Sequence, residues 1–365
     1  MEGSNDNVVQ KQYAGNDSNQ YQISNYIVNQ GISEERVRGI FAELIPQALE
    51  NYTQDAYKIA SSRIDKLETT VIPRIMDIDG AIAMFADPAF QVLLRKAQQS
   101  AAATEREDDY DLLSELLVCH IQKGNDRKNR AGILKAIEIV DDIDNDALCA
   151  LTLVHAVSVF IPSTGDVKQG LQVLNDLFAN LFYMQVPEGT EWIEHLDVLG
   201  AIRINQIGNF KKAKDYYAER LSGYACVGLK KDSEGYKEAV KLLNAAKLST
   251  DLLVSNELLE GYVRLPVSNQ NAIKSMNIIS LEITREINDQ EIEVLNNIWK
   301  LYSSDVNLKN SVAEKFNDLW KSYSTLKQLQ LWWDNIPIAF DITKVGKVLA
   351  HTNAKRCDPE LPDLL

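Results

Sequence analysis

The segment "ALCALTLVHAVSVFI" at residues 147–161 constrains the fold more than any other, because it is nearly apolar on every side. It lies between Asp146 and Pro162, and His155 is one of its few polar residues. A helix that is apolar all round has to be enclosed by other elements. A membrane-spanning helix needs about 20 apolar residues, and this run has 15. The run therefore predicts a buried central helix, and His155 is interpreted as a core histidine.

Most of the remaining chain carries helical patterns. Ser33 is a predicted N-cap, and Asp87-Pro88 predicts a cap followed by proline in the first turn. The segment 255–285 stays open between a strand and a buried helix, because it contains Pro266 and the β-branched stretch "NIISLEIT". The predicted fold is mainly α, a multi-helix bundle or helical-hairpin array with a short N-terminal β arm. Later helices are predicted at 145–161, 166–184, 190–206, 210–226, 233–247, 289–303, 307–334 and 341–356.

Residues 1–31 form an Asn/Gln/Ser-rich arm in front of this helical chain. Two strand-like pieces flank "GNDS" at 15–18, a turn signal. Alternation places Tyr21, Ile23 and Ile27 on one face of the second piece. A lone hairpin is marginal in water, and its open edges pair readily with copies of themselves. We therefore expect a homo-oligomer with these three residues in the interface. The predicted units are this arm, a helical body at 32–250, and a C-terminal region of long amphipathic helices at 251–365.

Charge and cysteine usage exclude several classes of protein. The chain has 38 basic and 52 acidic residues, for a net charge of −14. Nucleic-acid backbones and anionic membranes are bound through clustered cations, so this balance disfavours both as main partners. None of the four cysteines lies within four residues of another, which argues against zinc and dithiol motifs. The first residues have neither a basic region nor an apolar run. Together these features favour the cytoplasm.

Motifs for catalysis or metal binding are weak. Asp142, Asp144 and Asp146 alternate as in a calcium loop, but Ala147 and Leu153 occupy the places of its required glycine and glutamate. The cluster Glu191, Glu194 and His195 matches neither di-iron nor zinc-protease spacing. No phosphate loop and no nucleophile elbow is present. We expect no cofactor, metal or catalytic residue. Binding is favoured over catalysis, although an active site assembled from distant residues stays possible.

Both ends of the chain resemble a family of uncharacterised bacterial proteins. Members have a Gly/Asn-rich arm, a helical body and a closing segment of the form LT-x-VG-x-x-x-A-x-x-N-x-KR. Here the arm, at 15–31, is followed by "ISEERVRGIFAEL", and the closing segment is "ITKVGKVLAHTNAKR" at 342–356. Such proteins look like accessory or effector components of bacterial anti-phage defence. The resemblance implies a sensor or scaffold with a protein partner from the same defence operon.

Asn353, Lys355 and Arg356 end the closing segment. Cations near a helix C-terminus complement its dipole, so the group either caps and docks the helix or contacts an anion or partner. The leading hypothesis is a non-enzymatic, self-associating helical protein of bacterial immunity. One alternative is a membrane-disrupting effector that releases the 147–161 helix on activation. The other is a nuclease or hydrolase built from scattered carboxylates.

Overall fold

The computed structural model describes residues 33–363, apart from 125, 206 and 281–282. This part of the chain is mainly helical, as predicted, with a few short strands. The helices are α1 (Glu34–Ala48), α2 (Gln54–Met76), α3 (Pro88–Ala103), α4 (Glu107–Lys123), α5 (Arg127–Ile137), α6 (Asn145–Val159), α7 (Val167–Leu181), α8 (Glu191–Val198), α9 (Ala213–Arg220), α10 (Glu234–Ala245), α11 (Asp289–Lys300), α12 (Val306–Ser322), α13 (Ser324–Asp334) and α14 (Lys344–Cys357). The strands are β1 (Ile202–Ile204), β2 (Leu229–Lys230), β3 (Val254–Ser255), β4 (Tyr262–Arg264), β5 (Asn277–Ser280), β6 (Ile283–Glu286) and β7 (Phe340–Ile342).

Helix starts follow the capping rules that the sequence indicates. The Ser33 hydroxyl accepts a hydrogen bond from the backbone N–H of Arg36 at 3.2 Å, which caps α1. The Asp87 carboxylate accepts from the N–H of Ala89 at 2.6 Å, and Pro88 is the first residue of α3. Each side chain satisfies a backbone donor that has no partner inside its own helix. Both predicted caps are confirmed.

The apolar run forms α6, and every residue from 147 to 157 is buried. Its polar side chains are hydrogen-bonded within the interior, as burial requires. The Thr152 hydroxyl, for example, donates to the backbone oxygen of Leu148 at 2.7 Å. The prediction of a buried central helix is confirmed. None of the helices in the described chain combines the length and apolarity needed to cross a membrane.

The last helix, α14, lies inside the N-terminal half of the molecule, where it packs against α4, α5 and α6. The strand just before α14, β7, pairs with β1 in an antiparallel ladder, with Ile202 opposite Ile342, and this pairing positions the start of α14. The hydroxyl of Thr343 bonds the backbone oxygen of Ala201 at 2.9 Å and accepts from the N–H of Gly346 at 3.2 Å. Thr343 is thus the N-cap of α14 and also its attachment to the chain after α8.

A smaller hydrophobic cluster spans residues 229–302. It contains α10, α11, the sheet β2–β4–β3 and the hairpin β5–β6. Arg264 of β4 is fully buried and joins this cluster to the larger one. Its guanidinium donates to both oxygens of Glu257, at 2.9 and 2.7 Å, and to the backbone oxygen of Gly165 at 2.8 Å. A buried guanidinium is stable only when its donors have acceptors such as these. The bonds of Arg264 therefore fix the contact between the two clusters.

Four predicted segments differ from the structure. The helix predicted at 210–226 is shorter, because α9 covers only Ala213–Arg220. The long helix at 307–334 is wrong: it is two helices, separated at Tyr323, whose backbone is extended. The helix at 190–206 ends at Val198, and β1 follows because it pairs with β7. The last helix begins at Lys344 instead of 341, since residue 341 belongs to β7. The open segment 255–285 forms strands and short turns, with β5 and β6 as an antiparallel hairpin.

A glycine substitution tests the insertion of α14. A Cβ added at Gly346 would lie 2.0 Å from the backbone oxygen of Ala201, and a backbone atom cannot move aside. We expect Gly346→Ala to lower the free energy of unfolding by about 3 kcal/mol or more, measured by urea denaturation.

The matched control is Gly39→Ala in the interior of α1, where the nearest atom is the flexible end of the Arg36 side chain at 3.6 Å. Alanine there should stabilise the protein by about 0.5–1 kcal/mol, because a helical glycine loses more chain entropy on folding. Equal effects of the two substitutions would contradict the close approach of α14 to residue 201.

Candidate functional site

The three C-terminal residues selected from the sequence lie together on α14, but they face different surroundings. Asn353 is 0% exposed. Its amide donates to the hydroxyl of Thr152 at 2.9 Å and to that of Tyr183 at 3.2 Å, and its carbonyl accepts from Arg356 Nε at 2.9 Å. Asn353 therefore joins the last helix to α6 and to the segment after α7.

Lys355 and Arg356 lie at the edge of this network. Arg356 forms an ion pair with Asp108 at 3.1 Å, and its guanidinium lies 5.1 Å from the ring centre of Tyr183. Lys355 pairs with Asp363, in the segment that follows α14. Both cations thus have intramolecular carboxylate partners. These contacts agree with the interpretation that the three residues dock α14 onto the rest of the protein. A contact with an external anion or partner stays a prediction.

A histidine pair lies next to this network, because His351 comes two residues before Asn353 on α14. His155 Nε2 is 3.2 Å from His351 Nδ1, and His351 Nε2 is 2.9 Å from the backbone oxygen of Pro362. Because that oxygen can only accept, His351 carries its proton on Nε2, and its Nδ1 accepts from His155. Burial lowers the pKa of His155 to about 3 and also lowers the pKa of His351. Both rings are neutral at pH 7, and they hold the segment after α14 in place.

Buried thiols complete the chemistry of the interior. Burial raises the pKa of Cys149, on α6, to about 12. Cys226 has a pKa raised to about 12 for the same reason. A thiol acts as a nucleophile through its thiolate form, so both cysteines act as small hydrophobic residues at neutral pH. The described residues contain no group of three or more His, Cys, Asp or Glu side chains arranged to hold a metal ion.

The candidate metal cluster of the sequence, Glu191, Glu194 and His195, lies on α8, and its histidine makes a structural hydrogen bond. His195 accepts a hydrogen bond from the backbone N–H of Asp144 at 3.2 Å, which ties α8 to the start of α6. The other candidate interface, Tyr21, Ile23 and Ile27, lies outside the residues that the structure describes.

A surface groove of about 620 Å³ lies between the two hydrophobic clusters. We call it the junction groove. It falls within the size range of ligand-binding pockets, and such pockets occur preferentially where structural units meet. One wall comes from α9 and the turn after it, with Asp215, Ala218, Glu219, Ser222, Ala225 and Val227. The opposite wall comes from the end of α11 and from α12, with Trp299, Tyr302, Ser303, Lys309, Asn310 and Ala313.

Both walls of the junction groove are fixed by hydrogen bonds to residues that do not line the groove. The Tyr302 hydroxyl accepts from the N–H of Leu265 at 2.6 Å, and its ring stacks on Trp299 with centroids 4.9 Å apart. On the other side, the Asn256 amide donates to the backbone oxygens of Cys226 and Val227, at 2.8 and 3.1 Å. A groove with fixed walls is preformed, so a ligand does not have to order it.

A second cavity of about 460 Å³ continues the junction groove, with which it shares Glu219 and Ser222. Its other lining residues are Ile161, Tyr216, Arg220, Asn269, Gln270 and Asn271. The combined cleft contains two carboxylates and two cations. The part with the aromatic pair is also lined by serine hydroxyls and the amide of Asn310, and three further amides line the continuation. The charges of the cleft are therefore balanced, in a protein whose net charge is −14.

Comparisons with known proteins place the chain in a family. A protein-family model with the description ":-like" matches residues 31–362. The match covers nearly the whole described chain, and the protein belongs to this family, whose description states no activity. No curated protein and no solved structure gave a significant match.

The Asn353 network generates a stability prediction. Asn353→Ala leaves the buried hydroxyls of Thr152 and Tyr183 without their shared partner and opens a cavity. We expect a loss of about 2–4 kcal/mol in the free energy of unfolding. The control is Asn180→Ala, which removes an exposed contact with Asp358 and should change stability by less than about 0.5 kcal/mol. Similar losses in both variants would argue against a buried hub at Asn353.

The histidine pair generates a pH prediction. A histidine whose pKa is lowered by folding binds its proton more tightly in the unfolded chain, so stability falls as the pH drops below about 6.5. With a folded pKa of about 3, His155 alone should cost roughly 2 kcal/mol by pH 5. Denaturation curves at pH 5 and pH 7.5 measure this difference. In the His155→Gln variant the difference should shrink by about that amount, and an unchanged difference would disprove the neutral buried pair.

Proposed function

We propose that this protein is a non-enzymatic, self-associating scaffold or sensor of bacterial anti-phage defence, working in the cytoplasm with a protein partner from the same operon. The junction groove carries the proposal, because it is a preformed, aromatic-lined surface with balanced charge. Such surfaces suit the binding of a polypeptide segment, since aromatic side chains supply contact area at low entropic cost. The resemblance of both chain ends to defence proteins supports the biological setting.

The chemistry of the interior also favours binding. The buried histidines and Asn353 are engaged in fixed hydrogen bonds that hold α14 against α6. Groups used in this way stabilise a rigid body and do not present an acid or a base to a substrate. The body thus serves as a platform, and the N-terminal arm supplies the self-association.

One measurement on two proteins tests self-association. Light scattering after size-exclusion chromatography should give an assembly larger than one chain for the full-length protein and a monomer for the Δ1–31 variant. The physical reason is that the strand edges predicted for the arm would pair readily with strands of other copies. Monomers at every concentration for both proteins would refute the proposal. Assembly of the Δ1–31 variant would move the interface to the helical body.

A further inference from the structure

We propose that the junction groove is the receptor for the N-terminal arm of a second copy of this chain. This inference rests on the proposed self-association and names the surface that the arm occupies. Each copy would offer an arm at one place and a groove at another. Such an interface is heterologous, and copies joined by it form rings or open filaments.

The side chains of the groove complement those of the arm. Ser222, Ser303 and Asn310 line the groove, and Asn269 and Asn271 line its continuation. Amides and hydroxyls both donate and accept hydrogen bonds. The arm, "YAGNDSNQYQISNYIVNQG" at 13–31, carries the same kinds of groups. An extended segment of this composition can pair its amides and its backbone with the polar groups of the cleft.

The aromatic end of the groove suits the apolar face of the arm. Trp299, Tyr302 and Ala313 all line the groove. Tyr21, Ile23 and Ile27 alternate along the arm, so they fall on one side of an extended chain. That face can lie on the aromatic pair while the amide face meets the polar rim.

Charge favours this occupant over others. The cleft is lined by Asp215 and Glu219 and by Lys309 and Arg220, and Glu219 is also paired with Lys211, so charges of both signs line the cleft. Residues 13–31 contain a single charged side chain, Asp17. A polyanion such as nucleic acid would meet the two carboxylates, and a basic peptide would meet the two cations. A nearly neutral polar segment avoids both kinds of charge repulsion.

The length of the arm permits exchange between copies. The arm leads into α1, which packs on α2 and α3, whereas the groove lies between α9, α11 and α12. Residues 1–32 precede Ser33, and at about 3.3 Å per residue an extended segment of this length spans roughly 100 Å. The arm is therefore long enough to reach the groove of a neighbouring copy.

Cross-linking of full-length chains tests the occupant directly. Lys11 is the only lysine in residues 1–31, and Lys309 lines the groove. Equal amounts of ¹⁴N- and ¹⁵N-labelled protein are mixed, treated with an amine-specific cross-linker, digested and analysed by mass spectrometry. We expect a Lys11–Lys309 cross-link in which the two peptides carry different labels. A Lys11–Lys309 link found only between peptides of the same label would mean that the arm folds into its own groove, which overturns the inference.

Substitutions in the groove provide a second, independent test. Ala218→Arg and Ala313→Arg each place a long side chain in the groove and should weaken self-association at least tenfold by sedimentation. The matched control, Ala245→Arg on the exposed end of α10, should leave both self-association and the melting temperature unchanged. Two groove variants are used so that a folding defect in one, seen as a lowered melting temperature, does not decide the result.

The outcomes separate this inference from the proposed function. If the full-length protein assembles, the Δ1–31 variant does not, and both folded groove variants assemble normally, then arms pair with arms. That result overturns the groove as receptor and leaves self-association standing. If the full-length protein is a monomer throughout, the proposed function itself fails.

Discussion

The insertion of the last helix into the first half of the molecule is the contact on which the rest of the structure depends. Helices α4, α5 and α6 pack against α14. Asn353 contacts Thr152 of α6 and Tyr183, and His351 contacts His155 of α6. A buried polar group tolerates little displacement, because a shifted helix leaves donors unpaired in a medium of low dielectric constant. Asn353 therefore fixes the register of α14, and the close approach at Gly346 fixes its depth. The N-terminal bundle is complete only when residues 340–357 are in place, so folding depends on contacts that are distant in sequence.

This arrangement bears on the choice between binding and membrane disruption. Residues 147–157 of α6 are all buried, and exposing each large apolar side chain costs about 1.5–3 kcal/mol. Releasing the helix would also break the bonds of Thr152 and His155 to α14. For the five large apolar side chains of this stretch the first cost alone is about 7–15 kcal/mol, which is comparable to the 5–15 kcal/mol or so that stabilises a whole domain. A binding function leaves this core intact and uses only the surface, which is why the junction groove is the better candidate.

Local signals in the sequence account for much of the fold. The caps at Ser33 and Asp87 and the apolar run of α6 depend on neighbouring residues, and the structure confirms them. The errors in the predicted helix ends occur where contacts with distant residues determine the backbone conformation. The chain leaves the helix after Val198 because β1 pairs with β7, more than 130 residues later. The break at Tyr323 is accompanied by a hydrogen bond from the Trp320 indole to the backbone oxygen of Leu326 at 2.9 Å, and no periodicity in that segment reports it.

The candidate sites show the same division. The resemblance singled out the closing segment, and position alone gave Asn353, Lys355 and Arg356 a shared role near a helix end. Only the folded chain separates the inward amide of Asn353 from the two cations at the edge. The junction groove had no local signal at all, because its walls come from segments around 215–227, 299–304 and 309–313. Such surfaces become visible only when the topology brings the segments together.

An arm that binds in a preformed groove would give assembly a sharp dependence on concentration. Ordering the backbone costs about 1–2 kcal/mol per residue, so an arm that is Asn/Gln/Ser-rich and nearly uncharged gains little net free energy from a single groove. Segments that fold on binding have low affinity for their contact area. When copies join arm to groove in a closed ring, however, the last contact is intramolecular and is favoured by effective concentration. Weak single contacts together with a cooperative final closure would keep the protein dispersed at low concentration and assembled above a threshold, as the proposed sensor role requires.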